Sequence, residues 1–174
     1  MTGRAFFNAV TNGQTDLLQV LLSLLEETGA SYCIIGGLAV NAYAEPVVSL
    51  DLGMVVVADD AVRLCEAAAA KGLQVREFEH SINLSVSGSD LRIRIRTDPR
   101  YQPFVAGAES RQVLGYTMRV ASVEDVLQGK LWAHADPQRR RSKRQKDLAD
   151  ILRLVEADPS LERCLPPAIV QELG

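Results

Sequence analysis

The sequence lacks a long apolar segment, and it is poor in the residues that build disulfides and metal clusters. No stretch approaches the roughly 18 apolar residues of a membrane helix, and the first residues contain no apolar signal core. We therefore expect a cytoplasmic protein with no membrane partner. Cys33, Cys65 and Cys164 are widely separated in apolar or helical contexts, so we expect buried, reduced thiols. His80 and His134 have no acids or cysteines at metal-ligand spacing, and we assign neither a role.

The chain also lacks a general excess of positive charge. Its 174 residues carry a formal net charge of −3, with a pI near 5.4, which argues against a basic coat for nucleic acid. Hydrophobic residues make up 47% of the chain, which is enough for a sizeable core. We predict an α/β core over residues 1–121 and a helical segment over residues 122–174 that packs on it as part of one compact unit.

The most informative feature is an isolated acid, Asp51, in an apolar run that follows a double glycine. An acid inside such a strand is costly unless it is exposed, paired or functional. The preceding run, Tyr32–Ile35, predicts a buried strand, and Gly36-Gly37 predicts a tight turn into a helix. The glycine pair has two interpretations. It is either ordinary turn punctuation, or a backbone that lets a phosphate approach the free N–H groups of a helix start.

Turn and cap residues predict an alternation of helices and strands over the first half of the chain. Thr15 and Gly29 bracket a helix rich in leucine, which we expect to bury one side. Asp59 and Asp60 are expected to cap an alanine-rich helix, and residues 73–78 have the composition of a strand. The predicted order is therefore α, β, α, β, α, β.

Two alternating runs, residues 82–86 and 91–95, then predict an antiparallel hairpin with one apolar and one polar face. The polar face of the second strand carries Arg92, Arg94 and Arg96, because alternate residues of a strand share a face. These arginines form either a solvated strand face, or a cationic shelf that binds phosphates or neutralises Asp51.

The last third of the chain predicts a helical hairpin with a basic start to its second helix. Residues 97–120 are rich in turns and lead to one short strand, Tyr116–Val120. Ser122 starts one helix, and a second begins near Ser142 and continues until Pro159. Six cations fall within residues 139–146, which indicates either an exposed helix start or a site for an anionic partner. They are Arg139, Arg140, Arg141, Lys143, Arg144 and Lys146.

The order of these motifs resembles that of nucleotidyltransferases of the abortive-infection AbiEii type. The glycine pair, Ser49-x-Asp51 and the hairpin are followed by Lys130 on one helix and by Arg144-Gln145-Lys146-Asp147 on the next. The resemblance covers residues 30–157. It implies an α/β nucleotidyltransferase fold, with a mixed β-sheet flanked by helices and a C-terminal helical hairpin.

The resemblance also implies a site. Asp51 is the expected catalytic carboxylate and Mg²⁺ ligand, Lys130 is expected to touch phosphates, and Asp147 to orient a cation or cap its helix. The hairpin adds two arginines to this set. The candidate nucleotide-binding residues are then Gly36, Gly37, Ser49, Lys130, Arg144, Lys146, Asp147, Arg92 and Arg94.

The chain departs from the family pattern in the acids. Members of the family that this chain resembles have the pattern Ser/Thr-x-Asp-x-Asp, whereas here Gly53 stands in place of the second acid. The strand that usually carries a third carboxylate carries arginines. Mg²⁺ usually takes one or two carboxylates plus phosphate oxygens, and two-metal phosphoryl transfer needs several converging acids, so Asp51 alone is a weak metal site.

Two main functions share this fold. One is a nucleotidyltransferase that moves a nucleotidyl group from an NTP to a protein or RNA acceptor, with Mg²⁺ as cofactor and a role in a toxin-antitoxin pair. The other is a degenerate relative that only binds a nucleotide, RNA or a partner protein. A third interpretation is an interaction module that binds a cognate partner through its basic helix start. Salt dependence separates nucleic-acid contacts from an apolar protein interface.

Overall fold

The computed structural model describes residues 2–12 and 16–174 of the chain, and its centre is a seven-stranded mixed sheet. The order across the sheet is β3-β4-β5-β2-β1-β7-β6. Strands β1 and β7 are parallel, as are β2 and β5, and the other neighbours are antiparallel. The strands are β1 Tyr32–Ile35, β2 Asp51–Val56, β3 Gln74–Phe78, β4 Ser81–Ser85, β5 Arg92–Arg96, β6 Glu109–Val113 and β7 Tyr116–Val120.

Helices cover the sheet, and the buried side chains form a continuous hydrophobic core between the layers. The predicted mixed α/β fold with flanking helices is therefore confirmed. Two 3₁₀ segments, Pro99–Val105 and Pro159–Cys164, complete the described structure. The helices are α1 Gly3–Val10, α2 Leu17–Thr28, α3 Gly36–Val40, α4 Ala58–Ala70, α5 Val123–Ala135, α6 Arg141–Ala157 and α7 Pro167–Leu173.

The first long helix shows how local sequence sets an element's ends. The Asp16 carboxylate accepts a hydrogen bond from the Gln19 N–H at the start of α2. Gly29 ends the helix in the left-handed conformation, with φ of 64°, which glycine adopts without a Cβ clash. Thr15, the expected start signal, lies outside the described residues.

Two expectations about individual elements need correction. Asp59 and Asp60 do not cap α4, because they lie in its first turn and Asp60 instead accepts a hydrogen bond from the Ser31 N–H. The region before β7 is not only turns, since β6 pairs with β7 across a short Leu114-Gly115 loop. Sequence reasoning missed β6 because it has few apolar residues.

The three cysteines differ in exposure. The thiols of Cys33 and Cys65 are buried as expected, but that of Cys164 is exposed, because the 3₁₀ segment that carries it lies at the surface. Helix α7 follows that segment and lies within the helical region predicted over residues 122–174, although no cap or spacing signal marked it as a separate helix. No helix in the described ranges is both long enough and apolar enough to cross a membrane.

The C-terminal hairpin of α5 and α6 lies against the part of the sheet that carries the candidate site. The Ser122 hydroxyl accepts a hydrogen bond from the Asp125 N–H at the start of α5, as the sequence predicts. Helix α6 packs along α5 and also contacts α3. This packing brings the basic start of α6 close to the ends of β2 and β5.

Candidate functional site

The double glycine forms the turn between β1 and α3. Gly36 has φ of +76°, in the region that favours glycine, so the turn itself requires this residue. A Cβ on Gly37 would lie 3.7 Å from the Ser49 hydroxyl oxygen, in ordinary contact, and the Ser49 side chain is buried beside the turn. Gly36, Gly37 and Ser49 therefore meet at one edge of the sheet, where β2 begins.

Asp51 is the first residue of β2, and two cations hold its carboxylate. The Arg92 Nε lies 2.9 Å from Oδ1, and the Lys143 Nζ donates to Oδ2 at 3.2 Å. The parallel register of β2 and β5 places Asp51 level with Arg92, whereas Lys143 comes from α6. Both carboxylate oxygens of Asp51 are thus engaged.

The electrostatic surroundings of Asp51 favour its charged form. Burial works to raise the pKa of this carboxyl, but the Lys143 hydrogen bond and the charges of Arg92, Lys143 and Arg94 outweigh that effect. The net result is a pKa below the ordinary value for aspartate. Asp51 is therefore an ionised, doubly paired carboxylate at neutral pH.

Gly53 and Arg94 occupy the next level of the same two strands. The register pairs Gly53 with Arg94 across β2 and β5, and with Ile35 across β2 and β1. A Cβ at Gly53 would lie 3.3 Å from the Ile35 carbonyl oxygen and 3.4 Å from its Cγ1, so the local backbone leaves little room for a side chain. The cation of Arg94 is exposed opposite a residue that has no side chain.

A second group of charges is buried inside the helical hairpin. The Lys130 ammonium on α5 lies 3.1 Å from Asp147 Oδ1 and 2.7 Å from Asp150 Oδ2, both on α6. The Arg139 Nε donates to the other oxygen of Asp147 at 2.6 Å. Only 1% of the Asp147 side chain is exposed. Asp147 thus orients two cations. Lys130 lies at the wall of the site, where its ammonium is already paired with two carboxylates.

Arg153 links this buried group to the loop before β2. Its guanidinium donates to Asp150 Oδ1 at 2.8 Å, to Asn41 Oδ1 at 3.2 Å, and to the Glu45 carbonyl oxygen. The Asn41 amide also bonds both the N–H and the carbonyl of Val47. The loop that delivers Ser49 and Asp51 is therefore fixed to α6.

These residues surround a cavity of about 410 Å³. Nine of the ten residues expected from the sequence line it, namely Gly36, Gly37, Ser49, Asp51, Arg92, Arg94, Lys130, Lys146 and Asp147. The described lining includes eight cations and two carboxylates, those of Asp51 and Asp147. The cations are Arg92, Arg94, Arg96, Lys130, Arg139, Arg140, Lys143 and Lys146.

The structure does not bring Arg144 into the cavity. Its Nε donates to the His134 carbonyl oxygen at 2.7 Å, at the end of α5. One residue along a helix rotates the side chain by about 100°, so Arg144 points away from the face that carries Lys143 and Asp147. His134 is buried and bonds the Arg144 carbonyl oxygen and Glu172, which is a packing arrangement.

Sequence reasoning missed Lys143 as the partner of Asp51, and Arg139 and Asp150 as members of the buried group. The spacing of Lys143, Asp147 and Asp150 along α6 places them on one helix face, which was a usable signal. The pairing of Lys143 with Asp51 depends on how the hairpin packs on the sheet, and no local pattern shows that.

A second cavity of about 310 Å³ shares Arg94, Arg96 and Arg139 with the first. Trp132 lies in its wall, stacked on Phe104 at 5.7 Å between ring centroids. The Arg100 guanidinium lies 4.8 Å from the Trp132 ring centroid. Burial lowers the pKa of Arg96 from its ordinary value, and the neighbouring arginines act in the same direction. The arginine shelf, formed by Arg92, Arg94 and Arg96 of β5, therefore borders both cavities.

Solved structures that share this fold include nucleotidyltransferases and a nucleotidyltransferase-like protein. The antibiotic-resistance factor ANT(2″)-Ia, solved in complex with adenylyl-2″-tobramycin, is 15% identical over 91% of this chain and 97% of its own, with a TM-score of 0.63. The lincosamide antibiotic adenylyltransferase LnuA, solved with lincomycin bound, is 12% identical over 79% of this chain and 95% of its own, with a TM-score of 0.53.

An antigenic nucleotidyltransferase-like protein from Paracoccidioides brasiliensis is 17% identical over 86% of this chain and 75% of its own, with a TM-score of 0.54. The fold of this chain is thus that of a nucleotidyltransferase. The family model described as nucleotidyl transferase AbiEii toxin, of a type IV toxin-antitoxin system, matches residues 40–173, and the chain belongs to that family. No curated protein matches the chain.

The residues at the site do not fit the Mg²⁺ site that the family pattern implies. A magnesium site draws on carboxylate oxygens that are free to bind it. Asp51 uses both oxygens for Arg92 and Lys143, and Gly53 supplies no ligand. Within residues 2–12 and 16–174, no three acids, histidines or cysteines come together as a metal site. The charged groups at the site are therefore mostly cations, which suit an anionic ligand.

Proposed function

We propose that this AbiEii-family protein binds the phosphates of a nucleoside triphosphate in the cavity between the glycine turn and α6. The observation that carries the proposal is the concentration of positive charge in the cavity wall, within a chain whose net charge is −3. Uncompensated like charges repel one another, so a wall of this kind is stabilised by an anionic ligand.

The pairing of these cations supports the proposal. Among the described residues, Arg94, Arg96, Arg140 and Lys146 form no ion pair with an acid, although all four line the cavity. Charge-assisted hydrogen bonds from arginine to phosphate are among the stronger polar contacts, and arginine can make two parallel bonds to one phosphate. The free cations match an extended polyphosphate better than a single anion.

The glycine turn supplies the neutral side of the same site. Gly36 and Gly37 carry no Cβ atoms, so a phosphate can approach the backbone there more closely than at any other residue type. Ser49 is buried beside the turn, where its hydroxyl bonds the backbone N–H and carbonyl of Asp51 and fixes the start of β2. The nucleotide phosphates would thus lie between a backbone turn on one side and the arginine shelf of β5 on the other.

Calorimetric titration with ATP and GTP tests this proposal. Removing Arg94 by Arg94→Ala is expected to weaken binding by about tenfold or more, as expected for a lost charged hydrogen bond of about 1.5–3 kcal/mol. Arg76→Ala is the matched control, because Arg76 is exposed on β3 and does not line the cavity. Equal binding by wild type and Arg94→Ala, or no binding by the wild type, would contradict the proposal.

A second candidate is nucleotidyl transfer to a protein or RNA acceptor, as in a toxin of this family. It is favoured by Asp51, which keeps its place on β2 beside the glycine turn. Transfer would join an acceptor hydroxyl to the α-phosphate and release pyrophosphate. An NTP labelled at the α-phosphate, incubated with cell RNA and protein fractions, is expected to label one of them. The loss of that label in Asp51→Asn is the check, and no labelling at all would leave nucleotide binding as the function.

A further inference from the structure

We propose that the cavity binds polyphosphate without a divalent metal ion, with Arg92, Lys143 and Arg94 supplying the positive charge that a metal would otherwise bring. The inference rests on the proposed function and specifies its ligand as the uncomplexed triphosphate. It predicts that Asp51 competes with the ligand for these cations, which is the reverse of a metal-binding carboxylate.

The two carboxylate oxygens of Asp51 are both paired. Each already has a cationic partner, Arg92 on the neighbouring strand and Lys143 on α6. A metal ion at this carboxylate would either displace one of these cations or lie beside both, at a site without a second acid. Like-charge repulsion opposes that arrangement.

At the position of Gly53 the sheet presents a cation and no acid. A second carboxylate on β2 would lie there, and the register of the sheet places Arg94 opposite it. The Arg94 side chain is exposed and lines the cavity. The strand pair thus presents a cation at the position level with the missing acid. On β2 only the Asp51 carboxylate remains, paired with Arg92 and Lys143 and under the charge of Arg94.

The ion pairs of Asp51 with Arg92 and Lys143 are weak enough to exchange. The side chains of Asp51, Arg92 and Lys143 are 39%, 63% and 38% exposed. Ion pairs at such exposure contribute little to stability, because water screens them and the side chains lose freedom. A polyphosphate with several charges can therefore take Arg92 and Lys143 from Asp51 at small cost. The ion pairs keep the cations in place until the ligand arrives.

Two consequences have opposite signs in a metal site and in a site of fixed cations. Neutralising Asp51 would weaken a metal-dependent site, but here it releases two cations and strengthens binding. Mg²⁺ bound to a triphosphate reduces the negative charge of the ligand, so in a site of fixed cations it weakens binding instead of enabling it.

The test is calorimetric titration with inorganic tripolyphosphate and with ATP, each in EDTA and in excess Mg²⁺. The wild type is expected to bind both ligands in EDTA, and more weakly in Mg²⁺. Asp51→Asn is expected to bind about two- to fivefold more tightly in EDTA, which corresponds to the loss of a competing exposed ion pair. Glu109→Gln is the matched control, because it removes the same charge from an exposed pair with Arg111 away from the cavity.

Lys143→Met gives a second, independent variant, because it removes one of the cations and keeps the acid. It is expected to weaken binding in EDTA, and thermal unfolding of each variant shows that it is folded. Binding that requires Mg²⁺ and disappears in Asp51→Asn would overturn this inference and leave the proposed function intact. No binding of either ligand in either buffer would overturn both.

Discussion

Two charge clusters border the same cavity, and they differ in how much water reaches them. The outer cluster, Asp51 with Arg92 and Lys143, has a carboxylate that is 39% exposed. The inner cluster, Lys130 with Asp147 and Asp150, is almost fully buried, and its Asp147 side chain is 1% exposed. Exposed pairs are weak and exchangeable, whereas a buried pair is costly to break. We infer that the inner cluster fixes the hairpin on which the outer one depends.

The largest expected effect comes from breaking the inner cluster by Asp147→Asn. The change leaves the Lys130 ammonium and the Arg139 guanidinium with one carboxylate fewer in a buried environment. We expect a loss of about 3–5 kcal/mol in the free energy of unfolding, measured by urea denaturation. Asp51→Asn makes the same chemical change in the outer cluster and is expected to cost less than about 1 kcal/mol. Similar losses in the two variants would show that burial does not separate the clusters.

An intermediate effect is expected from Gly53, which lies between the two strands of the outer cluster. Gly53→Ala places a Cβ against the Ile35 carbonyl oxygen, and we expect it to lower the free energy of unfolding by about 1–2 kcal/mol through overpacking. Gly53→Asp introduces the same Cβ together with a carboxylate that faces Arg94, and we expect it to lose less. The comparison of the two variants by thermal unfolding isolates the charge. A greater loss in Gly53→Asp would mean that Arg94 does not stabilise an acid there.

The smallest expected effect is a pH dependence that belongs to the outer cluster. The pKa of Asp51 is lower in the folded protein than its ordinary value, because Lys143, Arg92 and Arg94 outweigh burial. Its contribution to stability is therefore present above the unfolded pKa of about 3.9 and is lost as the pH falls through the folded value. Urea denaturation of the wild type and Asp51→Asn should differ by less than about 1 kcal/mol at neutral pH, and the difference should shrink in acid. A difference that stays constant down to about pH 3 would contradict this.

Local patterns were enough to predict the elements that carry the site. The glycine pair predicted the turn, which Gly36 makes with a positive φ, and the alternation of residues 91–95 predicted both a strand and the common face of its arginines. Strand β6 escaped because its sequence, Glu109–Val113, is mostly polar, as suits the edge of a sheet. Patterns of apolar residues detect strands that bury a face, and this one buries little.

The partners of the charged residues could not be predicted in the same way. Lys143 lies 92 positions from Asp51 in the chain, and their contact depends on how α6 is placed over the sheet. The basic run indicated either an exposed helix start or a site for an anionic partner, and Arg144 within it turns toward His134. Charge density is visible in a sequence, but the direction of each side chain is set by helix rotation and packing.

The wall shared by the two cavities has a practical consequence. Trp132 is the chain's one tryptophan, and it lines the second cavity next to arginines that also line the first. Its indole lies under the Arg100 guanidinium and against Phe104. A ligand that draws these arginines toward the first cavity would change the polarity around the indole. We therefore expect the emission of Trp132 to shift when the first cavity is occupied, which would report binding without any added label.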